Sequence, residues 1–109
     1  MKHSSVLIVG CGDIGIRTGG LLMAQGWGVA GVRRDSSKLP AEFFAYAANY
    51  TQSASLDFIA PLEPDFVLAT FNPADRTPAG YKAGFQTAMS HLISGLGSHR
   101  PRHILMVSS

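Results

Sequence analysis

Apolar residues along the chain gather in short runs that are separated by polar, glycine-containing or proline-containing segments. The run at residues 6–9 is continuously apolar and rich in β-branched residues, which is typical of a strand covered on both faces in a parallel sheet. Apolar runs of similar length predict further strands at residues 27–32, 43–48, 66–69 and 103–107. The pattern therefore predicts a sheet of five strands.

Helix-length segments stand between some of these strands. The first follows the glycines after the first strand and stops at Gly26, a residue type common just beyond a helix end. Gly19 and Gly20 in its middle each cost roughly 1 kcal/mol relative to alanine, so they indicate a helix that presses closely on the sheet. A longer helix is predicted over residues 79–96, with Gly97 at its end and a proline-containing loop before it.

A shorter helix is predicted between the third and fourth strands. Ser53 or Ser55 can cap its first turn, it runs through Ile59, and Pro61 and Pro64 close it. Strands that alternate with helices indicate an α/β fold with a doubly wound parallel sheet of the Rossmann type. Right-handed crossovers and the strand order 3-2-1-4-5 follow by analogy with that fold.

The motif GxGxxG stands directly between the predicted first strand and first helix. Its members are Gly10, Cys11, Gly12, Asp13, Ile14 and Gly15. In this context the first glycine permits a tight turn, the second lets a pyrophosphate approach the backbone, and the third allows the helix to pack closely on the strand. Backbone N–H groups at the helix start then meet the anion. The motif predicts a dinucleotide-binding site at these residues, and the alternative is a glycine-rich turn without a ligand.

Two residues inside the motif leave alternatives open. Asp13 is electrostatically out of place beside a phosphate, but the helix dipole favours a carboxylate there, so we expect a structural role for it. Cys11 shares the same helix end, which can lower the pKa of a thiol. The alternative for Cys11 is that it is a small residue that fills space.

Two arginines stand about twenty residues after the motif, at the end of the second strand, where NAD-binding proteins place Asp or Glu on the ribose. A guanidinium at Arg33 or Arg34 can hold a 2′-phosphate, which a carboxylate would repel. The pair therefore favours NADP as the cofactor, with NAD as the alternative. The alternative interpretation is that the two arginines are solvated charges at the end of a strand. Asp35 could pair with either arginine or touch a ribose.

The amino-acid composition argues against several classes of protein and partner. With 46% hydrophobic and 15% charged residues the chain is too apolar to be disordered, and its sparse surface charge allows for a homo-oligomer. The net charge of +2 is poor evidence for a nucleic-acid partner. A lone cysteine and the absence of Cys/His spacing predict no disulfide and no metal site, and make the cytoplasm the default location. The first apolar run is too short to enter a membrane.

Three stretches of this sequence together resemble the short-chain dehydrogenase/reductase superfamily. They are VLIV followed by GCGDIG, the VRR at the end of the second strand, and the fifth strand ILMVSS. The similarity is greatest to the NAD-dependent epimerase/dehydratase branch, which includes nucleoside-diphosphate-sugar epimerases, and it covers nearly the whole chain. The chain departs from the common extended pattern GxxGxxG and has the GxGxxG of an atypical subgroup.

The resemblance implies further contacts with the cofactor. Asn49 and Tyr50 occupy the place of the family's adenine-contacting pair, and an asparagine can still hydrogen-bond an amino group. Thr70, Phe71 and Asn72 match the loop that lies along the ribose and pyrophosphate.

The chain stops directly after the fifth strand, whereas the complete fold continues into another helix. We therefore expect residues 1–109 to be the N-terminal portion of an NAD(P)-binding Rossmann domain, truncated after that strand. The family uses a Tyr-x-x-x-Lys pair for proton transfer, and none of the tyrosines at 46, 50 and 81 has a lysine four residues later. No catalytic residue is predicted, and the chain alone should bind a cofactor without turnover.

The resemblance implies that the whole protein is an NAD(P)-dependent oxidoreductase, either an epimerase/dehydratase or a reductase. Its substrate would be a sugar nucleotide or a related small molecule, bound by the missing region. The alternative is a non-catalytic NAD(P)-sensing regulatory domain, because fold alone does not fix function. Potassium-channel regulatory domains carry an acidic residue after the second strand, so Arg33 argues against that kind.

Overall fold

The computed structural model describes residues 4–52, 54–71 and 77–107. Its strands are β1 (Ser5–Val9), β2 (Gly28–Arg33), β3 (Phe44–Ala47), β4 (Phe66–Ala69) and β5 (His103–Met106). The helices are α1 (Asp13–Ala24) and α2 (Pro78–Leu96), and short 3₁₀ helices cover Ser36–Lys38 and Ala60–Leu62. No helix within these ranges is long and apolar enough to cross a bilayer.

All strand pairs are parallel, and the strand order is β3-β2-β1-β4-β5, which confirms the predicted Rossmann-type topology. The chain builds outward from β1 through β2 to β3, then returns to the other side of β1 for β4 and β5. The order thus reverses between β1 and β4. In open α/β sheets, ligands bind beyond the carboxyl ends of the strands at such a reversal.

The continuous apolar run of β1 is explained by cores on both faces of the sheet. Leu7 and Val9 belong to the cluster that includes residues of α2, whereas Val6 and Ile8 belong to the cluster on the α1 side. Successive residues of a strand point to opposite faces, and all four of these side chains are buried. A strand with one solvated face would have needed alternating polar residues.

The ends of α2 follow local capping rules. Thr77 is the N-cap residue, and its side chain accepts a hydrogen bond from the Gly80 N–H at 3.1 Å. Pro78, expected in the preceding loop, instead opens the helix, where the missing N–H costs nothing. Gly97 follows the last residue with a φ of +58°, as predicted for the end of this helix.

The helix predicted through Ile59 is wrong. Residues 54–59 form successive turns, and the 3₁₀ helix Ala60–Leu62 contains Pro61 rather than ending before it. Leu56 and Ile59 are fully buried in the cluster on the α2 side, and the Ile59 N–H donates to the Leu56 carbonyl at 3.1 Å. Tight turns that anchor two side chains in the core replace the helix. The Ser55 hydroxyl has no hydrogen-bond partner among the described residues, and Ser53 lies outside them.

The two glycines inside α1 have different surroundings, which gives a stability prediction. A Cβ at Gly19 would lie 2.5 Å from Cζ of the buried Phe43 and 3.0 Å from Cγ1 of Val29, whereas a Cβ at Gly20 would meet nothing within 4 Å. Gly20→Ala should therefore raise the free energy of unfolding by about 0.5–1 kcal/mol through helix propensity. Gly19→Ala should lower it by about 1–3 kcal/mol through overpacking. Chemical denaturation of both variants measures the contrast, and shifts of the same sign would contradict this packing.

Candidate functional site

The predicted site residues that the structure describes follow the carboxyl ends of four adjacent parallel strands. The glycine motif follows β1, the two arginines stand at the end of β2, Asn49 and Tyr50 follow β3, and Thr70 and Phe71 follow β4. Parallel strands bring these positions to one edge of the sheet. Asn72 lies outside the described residues.

The glycine turn is defined here as residues 10–12, and its own backbone attaches it to the end of β2. The N–H groups of Gly10 and Cys11 both donate to the Val32 carbonyl, at 2.9 and 2.8 Å. The Gly12 N–H donates to the Gly10 carbonyl at 2.7 Å. These three backbone hydrogen bonds fix the conformation of the turn.

Packing explains two of the three motif glycines. Gly10 has a φ of +78°, and a Cβ there would lie 2.7 Å from the Thr70 carbonyl oxygen. A Cβ at Gly15 would lie 2.8 Å from Cγ2 of Ile8, so this glycine lets α1 approach β1. Gly12 differs, because its φ of −91° and ψ of −150° suit any residue. Among described atoms outside its chain neighbours, a Cβ at Gly12 would approach only the Gly10 oxygen, at 4.0 Å.

The first turn of α1 begins directly after Gly12. Gly12 is the N-cap residue, and no side chain caps the helix. The first N–H groups of an α-helix have no intrahelical acceptor, and the helix dipole makes this end positive. The carboxylate of Asp13 is 81% exposed and pairs with Arg17 at 3.3 Å, one helical turn further on. Asp13 therefore does not cap the helix, and the side chain of Ile14 in the same turn is 53% exposed.

Cys11 is a core residue and its thiol is not activated. Its side chain is fully buried, and its Sγ would lie 3.1 Å from a Cβ at Gly15 and 3.3 Å from one at Gly31. Burial raises the pKa of Cys11 to about 11, against a smaller lowering by the charge of Arg33. The lowered pKa considered for Cys11 is therefore wrong, and the space-filling alternative is correct. With its N–H bonded to Val32, Cys11 shapes the turn.

Asp35, the acidic residue that follows the two arginines after β2, is hydrogen-bonded to a residue close to it in the chain. Arg33 is half-buried and Arg34 is exposed. Asp35 caps the short helix Ser36–Lys38 by accepting hydrogen bonds from the Ser37 hydroxyl and N–H, and these bonds lower the pKa of Asp35. Among the residues that the structure describes, neither arginine forms an ion pair. The charge of Arg33 nevertheless acts on Asp35 and contributes to the lowering of its pKa.

The segment after β3 is held by hydrogen bonds that the sequence did not predict. The side-chain oxygen of Asn49 accepts from the N–H of Thr51 at 3.1 Å and from its hydroxyl. The oxygen that would accept from an adenine amino group is thus already engaged. Nδ1 of His91, on α2, lies 2.7 Å from the Tyr50 carbonyl oxygen. No local pattern could have indicated this bond, because 41 residues separate the two partners.

Phe71 and Thr70 face the interior. The ring of Phe71 is 2% exposed and packs against the ring of Tyr50, with 4.9 Å between centroids. Any cofactor contact of Phe71 must therefore use its backbone. The hydroxyl of the half-buried Thr70 donates to the Gly10 carbonyl, beneath the glycine turn. Within the described ranges, no three His, Cys, Asp or Glu residues stand close enough to hold a metal ion.

No protein-family model matches the chain, and no curated protein sequence matches it significantly. Solved structures do match. A candidate NAD-dependent epimerase/dehydratase from Methylobacillus flagellatus has a TM-score of 0.77 and 28% identity, over 99% of this chain and 38% of that one. The yeast methylglyoxal/isovaleraldehyde reductase complexed with NADPH has a TM-score of 0.76 and 16% identity, over 96% and 38%. A short-chain dehydrogenase from Streptomyces avermitilis has a TM-score of 0.69 and 15% identity, over 98% and 49%.

The predicted resemblance to epimerase/dehydratases and short-chain dehydrogenases is confirmed as a similarity of structure. The chain spans 38% to 49% of the length of these structures. What it shares with them is the fold, a parallel sheet of the Rossmann type with flanking helices.

Proposed function

We propose that the glycine turn and the first turn of α1 bind the pyrophosphate of a nicotinamide dinucleotide. The observation that carries the proposal is the contrast among the motif glycines. Gly10 and Gly15 are required by packing, whereas Gly12 is a glycine with no packing reason, beside an uncapped helix N-terminus. A phosphate that must approach the backbone closely would explain why position 12 is a glycine.

This chain would then be the cofactor-binding portion of an NAD(P)-dependent epimerase/dehydratase or reductase. The reductase among the structural neighbours was solved with NADPH, which supports a nicotinamide cofactor. The bound dinucleotide would supply hydride-transfer chemistry, and residues of this chain would bind and orient it. The substrate, a sugar nucleotide or related small molecule, would be held by other parts of the protein.

The cofactor is proposed to be NADP rather than NAD. Arg33 lies at the end of β2 next to the glycine turn, where its charge is close enough to act on Cys11. Asp35, the acidic residue nearest to it in the chain, is engaged with Ser37. The position of Arg33 supports a positive site for a 2′-phosphate, although its charge also acts on the carboxylate of Asp35.

Arg33→Ala should reduce the preference for NADPH. Charge-assisted hydrogen bonds in a partly exposed site contribute roughly 1–3 kcal/mol, so the unmutated protein should favour NADPH over NADH by about five- to 150-fold. The substitution should weaken NADPH binding by most of that factor and leave NADH binding nearly unchanged. It should also flatten the salt dependence of NADPH binding. Fluorescence titration at two salt concentrations measures these changes.

Arg102→Ala is the matched control. It removes the same charge from an exposed position just before β5, at the opposite edge of the sheet. NADPH affinity should change only slightly in this variant, through the loss of one distant positive charge. Equal affinity of the unmutated protein for the two cofactors, or a preference for NADH, would show that Arg33 and Arg34 are solvated charges.

A further inference from the structure

We infer that Thr70 is a positioning residue for phosphate binding, acting through the Gly10 carbonyl rather than by touching the dinucleotide. This inference rests on the proposed function. Thr70 is the first residue after β4, and its hydroxyl donates to the carbonyl of Gly10, which is 60 residues away in the chain. The resemblance would have made the same residue a direct ligand.

The hydrogen bonds around Gly10 show how Thr70 reaches the ligand site. The Thr70 N–H donates to the Val9 carbonyl at 2.9 Å, which fixes the Thr70 backbone to the end of β1. The Gly10 carbonyl then accepts both the Thr70 hydroxyl and the Gly12 N–H. Thr70 therefore orients the Gly10 carbonyl, and this carbonyl holds the N–H of Gly12. Gly12 is the motif glycine with open space around its Cβ position.

The chemistry of a hydroxyl argues against a direct contact with phosphate. A threonine has one hydroxyl proton, and that of Thr70 is donated to the Gly10 carbonyl, with the Val9 carbonyl as a more distant second acceptor at 3.4 Å. Phosphate oxygens at neutral pH act as acceptors, so Thr70 could donate to them only by releasing the turn. Thr70 is half-buried and bonded to the turn, whereas no side chain caps the first turn of α1.

Substitution of Thr70 separates the two roles when binding is measured with ADP as well as NADPH. Thr70→Val keeps the shape and removes the hydroxyl, so it should weaken both ligands by the same factor, about two- to tenfold, the range for one hydrogen bond. Thr70→Ser retains the hydroxyl and should bind both ligands as the unmutated protein does. Calorimetric titration of the folded protein gives the affinities.

Ser5→Ala is the matched control for stability. Ser5 joins the start of β1 to the segment before β4, because its hydroxyl accepts from the Asp65 N–H at 3.2 Å. The Ser5 hydroxyl also donates to the Asp65 carboxylate at 3.4 Å, so this variant removes two hydrogen bonds between the same two chain segments at the opposite edge of the sheet. It should lower the melting temperature as Thr70→Val does, and leave both affinities unchanged.

The outcomes discriminate among the explanations. Equal losses for ADP and NADPH in Thr70→Val, with recovery in Thr70→Ser, would support positioning through the turn. A loss for NADPH alone would indicate a direct contact beyond the pyrophosphate and overturn the inference. Unchanged affinities in Thr70→Val, or an equal loss in Ser5→Ala, would also overturn it. Failure of the unmutated protein to bind either ligand would instead refute the proposed function itself.

Discussion

Gly10→Ala should lower the free energy of unfolding by about 2–5 kcal/mol. The backbone φ of +78° at Gly10 lies in the left-handed region, which costs an alanine roughly 1–2 kcal/mol. The new Cβ would also lie 2.7 Å from the backbone carbonyl oxygen of Thr70, a residue whose N–H is bonded to the Val9 carbonyl. Overpacking of this kind typically costs about 1–3 kcal/mol. Because the turn joins β1 to α1, the same change should disturb ligand binding.

Gly12→Ala is the control for Gly10→Ala, since it changes the same motif two residues later. Its backbone angles suit alanine, and the added Cβ would stand in open space. Its free energy of unfolding should stay within about 0.5 kcal/mol of the unmutated value. Urea denaturation of the two variants gives the comparison. Similar stabilities would mean that the turn does not have the conformation described here.

The sheet could be predicted from sequence because each strand is indicated by a run of apolar residues that are neighbours in the chain. Residues 6–9 of β1 are all apolar, a pattern typical of a strand buried on both faces, and both faces of β1 are covered. The glycine motif predicted a dinucleotide-binding site because a strand precedes it and a helix follows it. These features are set by neighbours in the chain.

The errors and omissions concern contacts between distant residues. The segment through Ile59 has the composition of a helix, but burial of Leu56 and Ile59 against α2 holds it in turns. Nothing near Thr70 in the sequence indicates that its hydroxyl binds Gly10, 60 residues earlier. The bond between His91 and Tyr50 is equally non-local. Such pairings exist only once the sheet has formed.

Gly12→Val should abolish detectable dinucleotide binding while the protein remains folded. Valine tolerates the extended backbone at this position, and the space around it is open. The branched side chain would occupy the path by which a pyrophosphate reaches the N–H groups of α1. Loss of two charge-assisted hydrogen bonds, at about 1.5–3 kcal/mol each, corresponds to a reduction in affinity of roughly 150-fold or more.

Calorimetric titration of NADPH into the unmutated protein and into Gly12→Val tests the central claim most directly. Circular dichroism and thermal unfolding of both proteins first establish that the variant is folded. We expect measurable binding to the unmutated protein and no detectable heat with folded Gly12→Val. Unchanged NADPH affinity in the folded variant would contradict the claim that the pyrophosphate lies on the glycine turn.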